Sequence, residues 1–281
     1  MTYSEALSAF ERLEDHRDDT VAPASRSLLL SHGEPRERAV VLFHGLTSSP
    51  PQFDAFARAL HARGENVIVP RLPRHGDRDR LSNALRDFSM DEVLSVAESS
   101  LEIARALGRR VTVAGFSVGG LLTAWLAQHH RFEHAVAISP FLGIMGIPHE
   151  VTPLVARTLR RLPNRFVYWH PIKRERLLPV HGYPRIATRA VAASLELAQQ
   201  LLLDAAQTAP RTPRITLALN AREAAVNNNA ARRLADLWEA HGVSVERRRL
   251  RGLPPSHDIV EPLRHPKIAA KALALLLPVF E

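Results

Sequence analysis

Cysteine is absent from this 281-residue chain. The absence excludes a disulfide framework, a thiolate metal site and a cysteine nucleophile. Lysine is scarce: Lys173, Lys267 and Lys271 are the only ones among 37 basic residues, and the rest are arginine. No stretch approaches the roughly 18 consecutive apolar residues of a membrane-spanning helix. The opening segment, MTYSEALSAFERLEDHRDD, is charged throughout and lacks the apolar run of a secretory signal, so the expected location is the cytoplasm. Aromatic residues make up only 6% of the chain, and none interleaves with the arginine clusters as a base-stacking strand requires. The net charge of +8 therefore reads as a solvated basic surface, and no nucleic-acid partner is expected. No cofactor or metal is expected either, and the oligomeric state is open.

What is present is a 46% hydrophobic chain in which short apolar runs alternate with amphipathic ones. Strands are predicted over 25–33, 38–45, 66–70, 110–116, 134–140, 214–220 and 243–250. Helices are predicted over 4–17, 51–64, 90–108, 118–130, 187–207, 227–242 and 264–278. Strands separated by helices long enough for crossovers imply an α/β fold, with a mostly parallel central sheet and helices on both faces. No internal repeat or low-complexity linker interrupts the pattern, which favours one domain over 1–281.

In such a sheet, chemistry gathers where strands end. VTVAGFSVGGLLTAW runs from a strand straight into a helix, with Ser117 between Gly115 and Gly119. A serine hydroxyl needs a base within hydrogen-bond reach and an approach clear of its own backbone. A G-x-S-x-G elbow supplies that approach, and the helix after it supplies free N–H groups. Past the strand at 214–220 stands Glu223, and past the one at 243–250 stands His257 in GLPPSHDIVEP. Ser117, Glu223 and His257 are thus candidates for nucleophile, acid and base. An oxyanion needs two donors, which points to the backbone N–H groups of Val118 and, in HGLTSSP, Leu46. His44 reads as a loop support and not a base; His75, in RLPRHGD, reads as loop-structuring. For Glu223 the competing reading is a surface residue paired with Arg222 or Arg232.

The residues VVLFHGLTSSP, VPRLPRHG, VTVAGFSVGG, AREAAV and PSHDIV resemble the α/β-hydrolase superfamily, closest to its bacterial carboxylesterase and monoacylglycerol-lipase-like branch. The resemblance implies Ser117, Glu223 and His257 as a catalytic triad, with Leu46 and Val118 as the oxyanion hole. It departs in two places. Relatives usually carry aspartate where Glu223 stands, and many carry glycine where this chain has Arg74. The implied activity is hydrolysis of small-molecule carboxylic esters, with apolar acyl or small-alcohol groups and possibly monoacylglycerols, through an acyl-serine. The same triad also serves amidases, thioesterases and C–C hydrolases, and a non-catalytic binding protein is the remaining alternative. Residues 141–185 are expected to form a small helical lid, with Phe116, Phe141, Ile144 and Met145 as substrate contacts.

Overall fold

The computed structural model describes residues 1–14, 19–170, 172 and 181–281. In chain order its strands are β1 (Leu28–Leu30), β2 (Arg36–Phe43), β3 (Asn66–Val69), β4 (Gly108–Phe116), β5 (His134–Ile138), β6 (Phe166–Tyr168), β7 (Arg185–Ala187), β8 (Arg214–Asn220) and β9 (Val245–Leu250). The helices are α1 (Tyr3–Leu13), α2 (Asp54–Ala62), α3 (Met90–Leu107), α4 (Val118–His129), α5 (Thr152–Arg161), α6 (Thr188–Gln207), α7 (Asn228–Ala240) and α8 (Pro266–Leu276). Seven strands form one sheet in the order β1-β3-β2-β4-β5-β8-β9. Within it only β1 runs antiparallel to its neighbour.

The side chains of the central strands explain why this sheet is covered on both faces. Along β2, Ala39, Val41 and Phe43 join one core, while Val40 and Leu42 join the other. Along β4, Val111 and Val113 pack on the first face and Ala114 and Phe116 on the second. Strands buried on both sides read as unbroken apolar runs, which is how RAVVLF and VTVAGF read. Helices α1, α3, α4, α6 and α7 contribute to the first core, and α2 and α8 to the second.

The sheet order also fixes where a crevice opens. From β2 the chain crosses outward to β3, whereas from β4 it crosses the other way, to β5. The segments leaving β2 and β4 therefore diverge, and these adjacent strands pair from Arg36–Gly108 to Phe43–Gly115. Divergence of this kind makes a switch point, where ligands bind in α/β sheets. His44-Gly45-Leu46 and Ser117 stand there.

Most predicted elements form with trimmed ends, and two differences have physical causes. Only Leu28–Leu30 of the run 25–33 pairs as a strand, because Pro23–Ser25 forms a 3-10 turn just before it. The segment 141–185, expected to form a small helical lid, contains α5 but also β6, which pairs antiparallel with β7 at the segment's end. In β6, Phe166 and Tyr168 are partly covered and Val167 is 53% exposed, an alternation too short to separate from helical spacing. Residues 15–17 of the predicted first helix, Pro171 of FVYWHP and the basic run 173–176 lie outside the described residues. Among the described residues no helix is long and apolar enough to cross a membrane.

Candidate active site

The corner between β4 and α4 closes because two glycines let backbone meet backbone. A Cβ on Gly115 would lie 2.1 Å from the Gly119 carbonyl oxygen, and one on Gly119 would lie 1.9 Å from that of Phe43. Neither overlap can be relieved by turning a side chain. Between them Ser117 adopts φ 58° and ψ −114°, a conformation that L-residues hold only when neighbours impose it. Three backbone bonds do so: Ser117 N–H to Ile138 (3.0 Å), and its carbonyl from Leu121 (3.0 Å) and Phe141 (2.9 Å). The strain keeps the side chain clear of its own backbone.

The imidazole of His257 lies over that hydroxyl, with Nε2 2.8 Å from Ser117 Oγ and Nδ1 3.1 Å from Glu223 Oε1. Nδ1 donates to the carboxylate, so Nε2 presents its lone pair and the serine hydroxyl donates to it. The Phe116 ring supports the imidazole from below, 4.7 Å between centroids. Asn220, the last residue of β8, holds the histidine loop by donating from Nδ2 to the carbonyls of Pro254 (3.1 Å) and Ser256 (2.8 Å).

Glu223 follows β8 in a tight turn, and only 2% of its side chain is exposed. It is not a surface residue paired with Arg222 or Arg232. Besides His257, Oε1 accepts the N–H groups of Ala224 (2.9 Å), Ala225 (2.9 Å) and Val226 (3.4 Å). Burial alone would raise this carboxyl; the hydrogen bond and charge of His257 and the Ala225 and Ala224 N–H groups outweigh it and hold the group below the ordinary carboxylate range.

Opposite the histidine, the loop after β2 is fixed plane by plane. The Gly45 carbonyl accepts from His44 Nδ1 (2.9 Å) and from the Ser48 N–H (3.0 Å). In a trans peptide the next N–H, that of Leu46, must point the opposite way. His44 Nε2 accepts the Leu72 N–H at 3.1 Å, so the ring is a neutral Nδ1–H tautomer. Burial and the neighbouring His75 keep its pKa well below the usual histidine range. His75 is also buried, with its ring nitrogens against the carbonyls of Leu46 (2.6 Å) and Pro73 (2.8 Å). Both histidines brace the loop, and neither reaches Ser117. The N–H groups of Leu46 and Val118 have no hydrogen-bond partner among the described residues. Arg74, in the same loop region, takes a positive φ of 66° and pairs with Glu92 at 3.2 Å on the surface.

A cavity of about 340 Å³ adjoins Ser117, lined by Leu46, Val118, Phe116, Phe141, Ile144 and Trp169 among others. Three of the four residues expected as substrate contacts, Phe116, Phe141 and Ile144, line it. Met145 is the exception: it is 51% exposed and lines a neighbouring cleft with Asn227 and Glu150. The turn at Gly146, where φ is 80°, directs the chain away just past it. Sequence reasoning passed over Gln52, Asp258 and Arg264, which form a polar stretch of the cavity wall. Gln52 and Arg264 fall at the starts of predicted helices and Asp258 adjoins His257, and no spacing marks the three as a group.

This arrangement matches a known pattern across most of the chain: residues 40–268 fit the alpha/beta hydrolase family. The chain belongs to that family. The chain is 30% identical over 137 residues to the pyrethroid hydrolase of Sphingobium wenxiniae, covering 47% of this chain and 46% of that protein. It is 35% identical over 109 residues to the thermostable monoacylglycerol lipase of a Bacillus strain, covering 39% and 42%. The chain thus spans less than half the length of these curated relatives. Among solved structures, it is similar to that of a metagenome-derived lipolytic enzyme at a TM-score of 0.67 and 18% identity, covering 92% of this chain and 99% of the other.

Proposed function

We propose that this hydrolase is a serine carboxylesterase that works through an acyl-serine intermediate. One observation carries the reading: Ser117 Oγ, the His257 ring and Glu223 Oε1 stand in one hydrogen-bonded line at 2.8 and 3.1 Å, beside an apolar cavity. His257 Nε2 takes the Ser117 proton as Oγ attacks the ester carbonyl carbon. The carbonyl oxygen becomes an oxyanion that accepts from the Leu46 and Val118 N–H groups, while Glu223 stabilises the imidazolium. Collapse of the tetrahedral intermediate breaks the carbon–oxygen bond to the alcohol, and His257 returns its proton to the departing alkoxide. Water, deprotonated by the same imidazole, then attacks the acyl-serine and frees the acid and Ser117.

The apolar walls suit an aliphatic or aromatic acyl group, and the Arg264 guanidinium at the polar end of the wall offers hydrogen bonds to the alcohol. Monoacylglycerols and small-alcohol esters fit that division, and the names of the two curated relatives support an ester substrate. The described part of 141–185 acts as a lid in this reading: Phe141, Ile144 and Trp169 from it line the cavity. The test is a series of p-nitrophenyl esters from acetate to laurate, run beside Ser117→Ala. Turnover of at least one member that vanishes in the variant is expected. No turnover across esters, thioesters and anilides, or full turnover without Ser117, overturns the reading.

A further inference from the structure

Gln52 sits in the 3-10 turn Pro50–Phe53 and is buried at the cavity wall. Its amide is used at both atoms. Oε1 accepts the Gly45 N–H at 2.9 Å, and Nε2 donates to Asp258 Oδ1 at 3.4 Å. These partners assign the amide orientation, since a flipped group would set two donors and two acceptors face to face. Gly45 immediately precedes Leu46, and Asp258 immediately follows His257. One side chain therefore joins the loop after β2 to the loop after β9, segments more than 200 residues apart in sequence.

The two ends of this link need it for different reasons. Gly45 has no Cβ, and one built there would make only ordinary contacts, with Phe116, Ser117 and Gln52. The Gly45 N–H lies in the peptide before the one that carries the Leu46 N–H, and a glycine lets those two planes turn against each other, so the Gln52 bond fixes the first plane while His44 and Ser48 hold the second through the Gly45 carbonyl. Asp258 is partly buried: desolvation and Glu261 push its carboxyl up, while Arg264 and His257 pull it down. Arg264 Nη1 donates to Oδ2 at 3.3 Å, leaving Oδ1 to the Gln52 amide.

We propose that Gln52 is a positioning residue that sets the distance between the Leu46 N–H and the His257 imidazole, by accepting from Gly45 and donating to Asp258. The proposal rests on the acyl-serine reading for its kinetic consequences but not for the link itself. Donor and base must converge on one tetrahedral carbon, and a misplacement of about 1 Å between such groups costs on the order of a hundredfold in rate. Gln52→Leu keeps the bulk and loses both bonds. A fall in kcat of roughly 10- to 100-fold with KM within about twofold is expected, the pattern of a group that acts in the transition state.

Gln52→Glu separates positioning from general packing. Its carboxyl still accepts from Gly45 but opposes the partly buried Asp258 with a second carboxyl. Two such groups share one proton at low pH and repel when both ionise. Activity in this variant should approach wild type on the acid side and fall as pH rises through neutrality, a limb absent from the wild-type profile. Adding Asp258→Asn reverses the polarity of the link: the new amide donates to the new carboxylate and still offers an oxygen to Arg264. At least tenfold recovery over Gln52→Glu at neutral pH is expected.

Hydrogen exchange at the Gly45 amide reads the link without any substrate, and should speed at least tenfold in Gln52→Leu. Wild-type kcat in Gln52→Leu, a raised KM at constant kcat, or no gain in the double variant overturns the positioning role. Unchanged exchange at Gly45 overturns the link. A wild-type protein inert toward every ester, with exchange still faster in Gln52→Leu, strikes the functional reading and leaves the link standing.

Discussion

Glu223 and Glu65 are both glutamates with buried side chains at strand ends, and burial pushes both carboxyls upward, yet they finish in opposite states. Glu223 lies past the carboxyl end of β8, where one oxygen collects His257 and three backbone N–H groups, and its carboxyl sits below the ordinary range. Glu65 lies before the amino end of β3, where its nearest cation is Arg38 at 4.0 Å and, among the described residues, no backbone N–H reaches its carboxylate; an unpartnered Oε2 is common to both glutamates. Its pKa is pushed up to about 7. Donors and not burial decide which carboxyl keeps its charge. Turns past the carboxyl ends of the strands leave N–H groups free, so a charge held there comes with its partners already in place.

The largest way to break this contrast is at the charged end. His257→Ala removes the group that both Glu223 and Ser117 address. Ester turnover should fall by roughly 10⁴- to 10⁶-fold while the thermal midpoint stays within a few degrees. A loss under tenfold would mean the hydrogen-bonded line is structural. Gly119→Ala comes next and acts on the fold: its methyl meets the Phe43 carbonyl, so β4 and α4 must part. A loss of stability on the order of 3–5 kcal/mol is expected from urea unfolding.

Glu65→Gln tests the other end. The folded Glu65 carboxyl holds its proton more tightly than the unfolded chain does. Its cost is therefore absent below the ordinary value of 4.5, grows as pH rises to about 7, and stays constant above. Glu65→Gln should stabilise by about 1–2 kcal/mol at pH 8 and by almost nothing at pH 4. The lowered Glu223 carboxyl works in the opposite sense. Its contribution is full above the ordinary carboxylate range and fades as pH falls through the folded value. Urea midpoints of Glu65→Gln and Glu223→Gln, referred to wild type across pH, should therefore shift in opposite directions at neutrality. The smallest effect belongs to Arg74, whose φ of 66° costs an L-residue roughly 1 kcal/mol; Arg74→Gly should recover part of that in the same unfolding assay.

How far the site was readable follows from the same physics. Ser117 announces itself because the corner demands Gly115 and Gly119 at fixed spacing, and the β4 strand before it is apolar on both faces. Glu223 and His257 are found as the acid and histidine just past strand ends, which needs only the strand boundaries. Gln52, Asn220 and Asp258 left no such trace, since each works through hydrogen bonds that reach a loop distant in sequence. Asn220 even ends a strand run that reads well without it. Segment 141–185 was the least legible: β6 and β7 are three residues each, shorter than any period can show. Half-exposed apolar residues there, Met145, Leu154 and Trp169 among them, obey no single inward face.

Fluorophosphonate labelling followed by peptide mass mapping tests the nucleophile most directly. The account predicts one adduct per chain, on Ser117, absent in Ser117→Ala and formed far more slowly in His257→Ala. An unlabelled wild-type protein, or an adduct on any other serine, would contradict it.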